Sequence, residues 1–504
     1  MPAQICYNQN PFIRGGHIHL TDLLRNLPYV IWGSDNPIID RITSFSSNAG
    51  PGCVYVACDT PLVRGHSRVQ EAIDRGASAV VVQRPIRHAQ SSHCPIVVVA
   101  NSFIAHATMC ANYFCHPEKH LRVYAVTGTA GKTTTCHLLD SILRAGGMRV
   151  GLISSVYRRT TASRTASANT TPEPFELYGL LRTMAEEGIT DVILEASSIG
   201  LAEERLWGLN CEGAIFTNLG RDHISYHGSI SRYRAAKAKL FATFVPARRP
   251  RKVCAINIDD PFGAELARGE YGDMVPYSLN QHLPGIIRMT EHSSSVVGTI
   301  AGVSFRSDFF GEHNSANVLA AATLSHNLGL SANAIAEGIS ELRVVPGRLE
   351  AVRDIAYVDY AHTAESVAAA LNAIRARFSQ SPIVAVLGCG GGADKEKRPR
   401  MASAAFYLAD VTIITSDNPR WEPPERIISD MIAGSDLHSL QRLGRLEIEP
   451  DRSKAINRAA AIARSRAGIL VVLGKGSEAF QEIQDIRVPF RDQEVLECAL
   501  ASRS

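Results

Sequence analysis

The chain has 504 residues, with 52 Lys and Arg against 49 Asp and Glu, 45% hydrophobic residues and 20% charged ones. That length exceeds what one hydrophobic core serves and predicts three domains; the nearly cancelling charge excludes a general nucleic-acid or anionic-membrane binder. No apolar run reaches the roughly 20 residues of a membrane span and no signal-peptide stretch opens the chain, so a cytoplasmic monomer without membrane insertion is expected. Eleven cysteines are scattered without zinc-type spacing and read as reduced thiols.

Residues 1–120 carry the short β-like runs VYVA (54–57), AVVVQ (79–83) and PIVVVA (95–100), which predict a small α/β domain. A second domain, 121–345, opens with the strand RVYAVTG. TTTCHLLDSILRAGG follows it and sets Leu138, Leu139, Ile142 and Leu143 on one helical face before Gly146 and Gly147 stop it. Strands at 191–197, 213–220 and 253–260 alternate with helical stretches, the pattern of a largely parallel sheet covered on both faces. The stretch 287–305 reads as a β-hairpin excursion. In the third domain, 346–504, strands in IAYVDYA, PIVAVLGCG, DVTIITSDN and GILVVLGKG alternate with Ala-rich helices such as SVAAALNAIRARF, the layout of a dinucleotide-binding sheet.

The strongest local signal is VTGTAGKTTT, 126–135, between a strand and a helix. Gly128 and Gly131 let backbone N–H groups of Thr129, Ala130 and their neighbours converge on phosphate oxygens. Lys132 suits the outer phosphates, Thr133 a magnesium ion, and the helix start at Thr134 adds its dipole. The loop is shorter than the general phosphate loop: only Thr129 and Ala130 stand between Gly128 and Gly131.

That shortened loop resembles the one in the Mur ligases, and further motifs follow in the same order: NTTPEPFEL from Asn169, EASSIGL from Glu195, FTNLGRDHISYHG from Phe216, YRAAKAKLF from Tyr233, INIDD from Ile256, GEHNSAN ending at Asn317, VPGRLE from Val345 and VDYAH from Val358. The resemblance implies a three-domain α/β fold with a central P-loop ATPase-like sheet and a Rossmann-like C-terminal domain. It implies an ATP-dependent amide ligase that adds meso-2,6-diaminopimelate to a UDP-muramoyl dipeptide through an acyl phosphate. It further implies magnesium ions held by Thr133, Glu195, His223 and a carbamate on Lys237; Asn317, Arg348, Asp359 and His362 around ATP; and Ser46, Asn169, Thr170, Thr171, Ser197, Glu203 and Arg205 around the muramoyl dipeptide.

For the incoming amino acid the resemblance points to the loop Asp417, Asn418, Pro419, Arg420, with Gly474 and Glu478. Diaminopimelate presents a second carboxylate that an arginine fork suits, whereas lysine presents only an ammonium. Departures from the family pattern fall at Phe45 and Ser47 beside Ser46, at Ile199 and Glu203, at Ser477, and at Ala393, where an arginine is usual. Arg398 or Arg400 is expected to compensate for Ala393, unless the amino acid differs.

Overall fold

The computed structural model describes residues 18–86, 94–245, 252–269, 271–281, 283, 287–291, 293–392 and 394–501, and organises them around sheets of five, eight and six strands. In the first sheet Arg41–Thr43, Cys53–Val56, Ala79–Val82 and Ile96–Val99 run parallel, and Tyr29–Trp32 pairs antiparallel at the edge. Cys53–Val56 and Ala79–Val82 are buried at every position. Such continuous apolar runs are what a strand covered on both faces needs.

The eight-stranded sheet places Arg122–Thr127 between Asp191–Glu195 and Cys211–Phe216, with Val150–Ile153, Val253–Asn257 and Asp273–Tyr277 continuing the parallel set outward. Side chains alternate between two cores: Val123, Ala125, Val192 and Leu194 face one, Tyr124, Val126 and Ile193 the other. Glu195 stands opposite Val126, and Phe216 opposite Thr127. Three neighbouring strands therefore end at one level, and the loops leaving them share the carboxyl edge where such sheets bind ligands.

The first sheet shares a core with the central one. Helix Ser102–Tyr113 and helix Pro174–Glu186 meet through Tyr113 and Phe175, whose ring centroids lie 5.3 Å apart. In the six-stranded sheet Ala356–Asp359, Ile469–Leu473, Ile383–Cys389, Val411–Ser416 and Leu446–Ile448 are parallel, with Glu350–Val352 antiparallel at the edge.

The stretch expected to be a single hairpin is larger than that. Ile287–Glu291, Val296–Ile300 and Val303–Ser307 form a three-stranded antiparallel sheet, in which Phe305 joins Ile335 and Ile339 in the core. A lone hairpin is marginal in water; a third strand with an apolar face against a helix makes the excursion stable.

Candidate active site

Backbone shape comes first in the phosphate loop. Gly128 and Gly131 have φ of 153° and 84°, where a side chain is strained. A Cβ on Gly128 would collide with Thr217 Oγ1, and one on Gly131 with Asn317 Oδ1. Helix Lys132–Ala145 starts directly after, so its first N–H groups face the loop. Neighbouring loops hold the shape: Ala130 N donates to Asn218 Oδ1 at 2.9 Å, Thr217 Oγ1 donates to the Ala130 carbonyl at 2.6 Å, and Thr129 and Tyr233 share a hydroxyl contact of 2.8 Å.

Lys132 curls into this loop, its Nζ donating to the carbonyls of Thr129 at 2.8 Å and Gly128 at 3.1 Å. Burial lowers its pKa, against the pull of Glu195. Thr133 Oγ1 sits 3.2 Å from both carboxylate oxygens of Glu195, whose Oε2 also accepts from Ser155 N at 2.8 Å. Lys237, 1% exposed, lies on helix Ile230–Phe244 and donates to the Gly128 carbonyl at 2.6 Å, with its ammonium 4.5 Å from the Tyr233 ring centroid. Burial, with Lys132 nearby, drives its pKa well below the usual lysine value.

His223 has φ 53° and its Nε2 is 3.3 Å from Asp222 Oδ2; burial pushes its pKa down to about 4. Asp222 also meets His362 Nε2 at 3.3 Å and Lys397 Nζ at 3.8 Å. Burial opposes its charge, but the hydrogen bond and charge of His362, with His223 and Lys397, hold its carboxyl far below the normal range. Sequence reading had missed Asp222 as a joint between the central and C-terminal sheets, although it stands inside the quoted FTNLGRDHISYHG motif. Thr217, in the same motif, and Ser155, outside every quoted motif, were also missed, and their contacts reveal them.

From the C-terminal side, Arg348 Nη2 reaches Thr133 Oγ1 at 3.0 Å while its guanidinium stacks over Tyr360, 4.6 Å from the centroid. Asp359 accepts from Leu349 N at 2.7 Å and Ala361 N at 2.8 Å; burial raises its pKa, against Arg348 and those bonds. Asn317 Oδ1 accepts from Thr135 Oγ1 at 3.3 Å. One cleft of about 480 Å³ gathers most of these groups, lined by Thr129 to Thr134, Glu195, His223, Lys237, Asn317, Arg348, Asp359 and His362, and by Thr170 and Ser197; Gly128 and Lys397 stand just behind its wall.

Other expected site residues do not line that cleft. Ser46 Oγ donates to Glu71 at 3.0 Å on the first sheet, and Asn169 is exposed. Thr171 Oγ1 donates to the Glu195 carbonyl at 2.8 Å, bracing the strand end. Arg205 is enclosed by Glu203 at 2.6 Å, Glu173 at 2.7 Å and the Thr171 carbonyl at 2.7 Å.

The Asp417–Arg420 loop lies beyond the cleft, linked to it where Gly474 N donates to the Asp359 carbonyl at 3.0 Å. Gly474 has φ 113°, and a Cβ there would crowd Asp417 Oδ2. Asn418 donates to Glu478 at 2.8 Å, and the fully buried Lys475 donates to both. Pro419 and Arg420 border a second cavity of about 540 Å³. Arg398 does not compensate for the missing arginine: it is 0% exposed and paired with Glu422 and Asp430, because helix Lys397–Leu408 turns it into the core. Arg400 is exposed on the same helix, and Ala393 lies outside the described residues.

The donor set suits a hard divalent cation: a buried carboxylate and a hydroxyl supply oxygen, and no ammonium neutralises Glu195 by direct contact among the described residues. Among the described residues no three His, Cys, Asp or Glu side chains are placed so as to hold a metal ion by themselves.

Comparison with known proteins agrees with this arrangement. Residues 126–325 match the Mur ligase middle domain and 347–476 the Mur ligase glutamate ligase domain. The UDP-N-acetylmuramoyl-L-alanyl-D-glutamate–2,6-diaminopimelate ligase of Geobacillus thermodenitrificans is 34% identical over 501 residues, 96% of this chain and 99% of that protein. The enzyme of the same name from Aquifex aeolicus is 34% identical over 468 residues, 91% of this chain and 93% of its own. A solved structure of a ligase with that name superposes with a TM-score of 0.59 at 29% identity, covering 92% of this chain and 95% of the other. MurF from Acinetobacter baumannii, at 19% identity and a TM-score of 0.59 over 92% of this chain and 96% of its own, shares the fold. The chain belongs to the Mur ligase family.

Proposed function

We propose that this protein is an ATP-dependent amide ligase of peptidoglycan precursor synthesis, joining meso-2,6-diaminopimelate to UDP-N-acetylmuramoyl-L-alanyl-D-glutamate. The observation that carries the reading is the convergence of Lys132, Thr133, Glu195, His223 and Lys237 on one cleft, beneath Arg348 and His362 from the C-terminal side. Likeness at 34% identity along 96% of the chain supports the choice of substrates. The division of labour follows the chain: 1–120 for the uridine end, 121–345 for ATP, and 346–504 for the amino acid, in a cytoplasmic monomer. Among the described residues no helix is long and apolar enough to cross a membrane.

A carboxylate does not accept an amine at neutral pH, so ATP must first convert it to an acyl phosphate. The phosphate loop, with Lys132, holds the outer phosphates in line with that carboxylate, and Asn317 and Asp359 border the nucleotide. Thr133, Glu195, His223 and a carbamate on Lys237 would hold magnesium, which supplies neutralising charge for the phosphoryl oxygens. Carbamate formation needs an uncharged amine, and the burial that depresses Lys237 favours that form. Thr170 and Ser197 orient the peptide end, with Ser46, Asn169, Thr171, Glu203 and Arg205 arranged along the remainder of the muramoyl substrate. Asp417, Asn418, Pro419, Arg420, Gly474 and Glu478 bind diaminopimelate and deliver its amine. His362 and Lys397, joined to Asp222, keep the C-terminal sheet over the cleft and exclude water.

The test is phosphate release from ATP by the purified protein, with each substrate omitted in turn. Release should require both the muramoyl dipeptide and diaminopimelate. Equal or faster turnover with L-lysine would overturn the choice of amino acid, and nucleotide binding without any turnover would overturn the enzyme.

A further inference from the structure

A short antiparallel hairpin, Phe480–Ile483 with Ile486–Pro489, grips the Asp417–Arg420 loop. Arg420 N donates to the Glu482 carbonyl at 3.0 Å, and Gln484 N donates back to the Arg420 carbonyl at 2.8 Å. Glu482 N donates to Asn418 Oδ1 at 2.9 Å, and Gln481 Nε2 to the Asp417 carbonyl at 2.6 Å. Arg420 itself stands at φ 51°, an uncommon conformation for a residue with a side chain, and the two backbone bonds hold it there.

The guanidinium is held as specifically as the backbone. Its Nε donates to Glu482 Oε2 at 2.9 Å and its Nη1 to the Gly391 carbonyl at 2.6 Å. Nη2 has no hydrogen-bond partner among the described residues. A guanidinium offers a carboxylate two docking edges, the side edge of Nε with one Nη and the end edge of both Nη atoms. Glu482 takes Nε and the Gly391 carbonyl takes Nη1, which leaves Nη2 as the donor of the fork open to a ligand.

With side chains 42% and 27% exposed, the Arg420–Glu482 pair is solvent-screened and adds little to stability. Its consequence is geometric. We infer that Glu482 is a positioning residue of the amino-acid pocket, fixing the guanidinium so that Nη2 of Arg420 is presented to the far carboxylate of the incoming amino acid. This rests on the proposed role of Arg420 as the group that binds that carboxylate. Without Glu482 the fork rotates among rotamers, and the ligand must order it on binding.

Steady-state phosphate release by the full-length protein tests this, with meso-diaminopimelate varied for wild type, Glu482→Gln and Glu482→Asp. Glu482→Gln should raise the KM for diaminopimelate about tenfold and leave kcat at saturation within about twofold. The KM values for ATP and muramoyl dipeptide and the melting temperature should stay in place, and Glu482→Asp should recover part of the loss. Wild-type turnover with diaminopimelate and an unmoved or lower KM in Glu482→Gln would overturn the inference and leave the proposed reaction standing. A joint shift of all three KM values with the melting temperature would reduce Glu482 to an anchor of the hairpin and overturn it as well. Wild-type turnover with lysine and none with diaminopimelate would overturn both.

Discussion

Lys237 is the residue on which the proposed chemistry turns. A buried ammonium without a carboxylate in direct contact is costly, and among the described residues it meets a carbonyl at 2.6 Å and the face of Tyr233. In the proposed carbamate the neutral amine would add to carbon dioxide and release a proton, leaving an anion and reversing the sign that the cleft presents to a cation. Replacing Lys237 with Ala should therefore lower kcat by roughly a thousandfold or more. Added formate or acetate should restore part of it, as read by phosphate release on a protein whose melting temperature is maintained. Full activity in the variant would remove the carbamate from the mechanism. At this scale the sequence was legible where a motif is local and silent where packing decides. Lys132 and Thr133 announce themselves through their loop, whereas Lys237 is singled out only by family resemblance. The choice between Arg398 and Arg400 stayed open in the sequence because the acidic partners of Arg398, Glu422 and Asp430, lie in a different helix and loop, and no spacing within KEKRPR reveals which basic residue turns inward.

Among the elements, the strand–loop–helix of 122–145 was the most legible, because an apolar strand, a glycine loop and an amphipathic helix are contiguous in the chain. Its conformation makes a sharp demand on Gly131. Gly131→Ala must place a side chain at φ 84° and against Asn317, a strain of roughly 1–3 kcal/mol. The expected outcome is a KM for ATP raised about tenfold, with a lowered melting temperature; wild-type values for both would show that the loop adapts freely. The hairpin of 480–489 was not legible. Its strands are short, largely exposed and weakly patterned, so their pairing is decided by the loop they grip rather than by their own alternation. The third strand of the 287–307 sheet was missed for a similar reason: only Val303 and Phe305 mark its inner face.

At the scale of the molecule, the central and C-terminal sheets meet through charged groups around the cleft and through Phe310, which packs on Tyr357 of the C-terminal core. Asp222 is the buried member, and the exposed ion pair of Arg221 with Glu396 stands beside it. The three-layer α/β plan was readable from alternating strands and helices, but these joints were not, because their partners are far apart in sequence. Burial has a second molecule-wide effect. His106 and His137 are enclosed as neutral rings, and their pKa values are pushed down to about 3, chiefly by desolvation. Both keep their full contribution to stability above the ordinary histidine value and lose it as the pH falls from there toward about 3, because only the unfolded chain takes up the proton. Each then costs about 2 kcal/mol at about pH 5. Thermal melts of wild type and His106→Leu between neutral pH and about pH 5 should show a smaller acid-induced drop in the variant; identical drops would mean that His106 charges freely in the folded protein. The central claim, that ATP activates the dipeptide as an acyl phosphate, is tested most directly by labelling the reacting carboxylate with heavy oxygen and weighing the phosphate released. The account predicts one heavy oxygen carried into that phosphate for each amide bond formed; phosphate free of the label would contradict it.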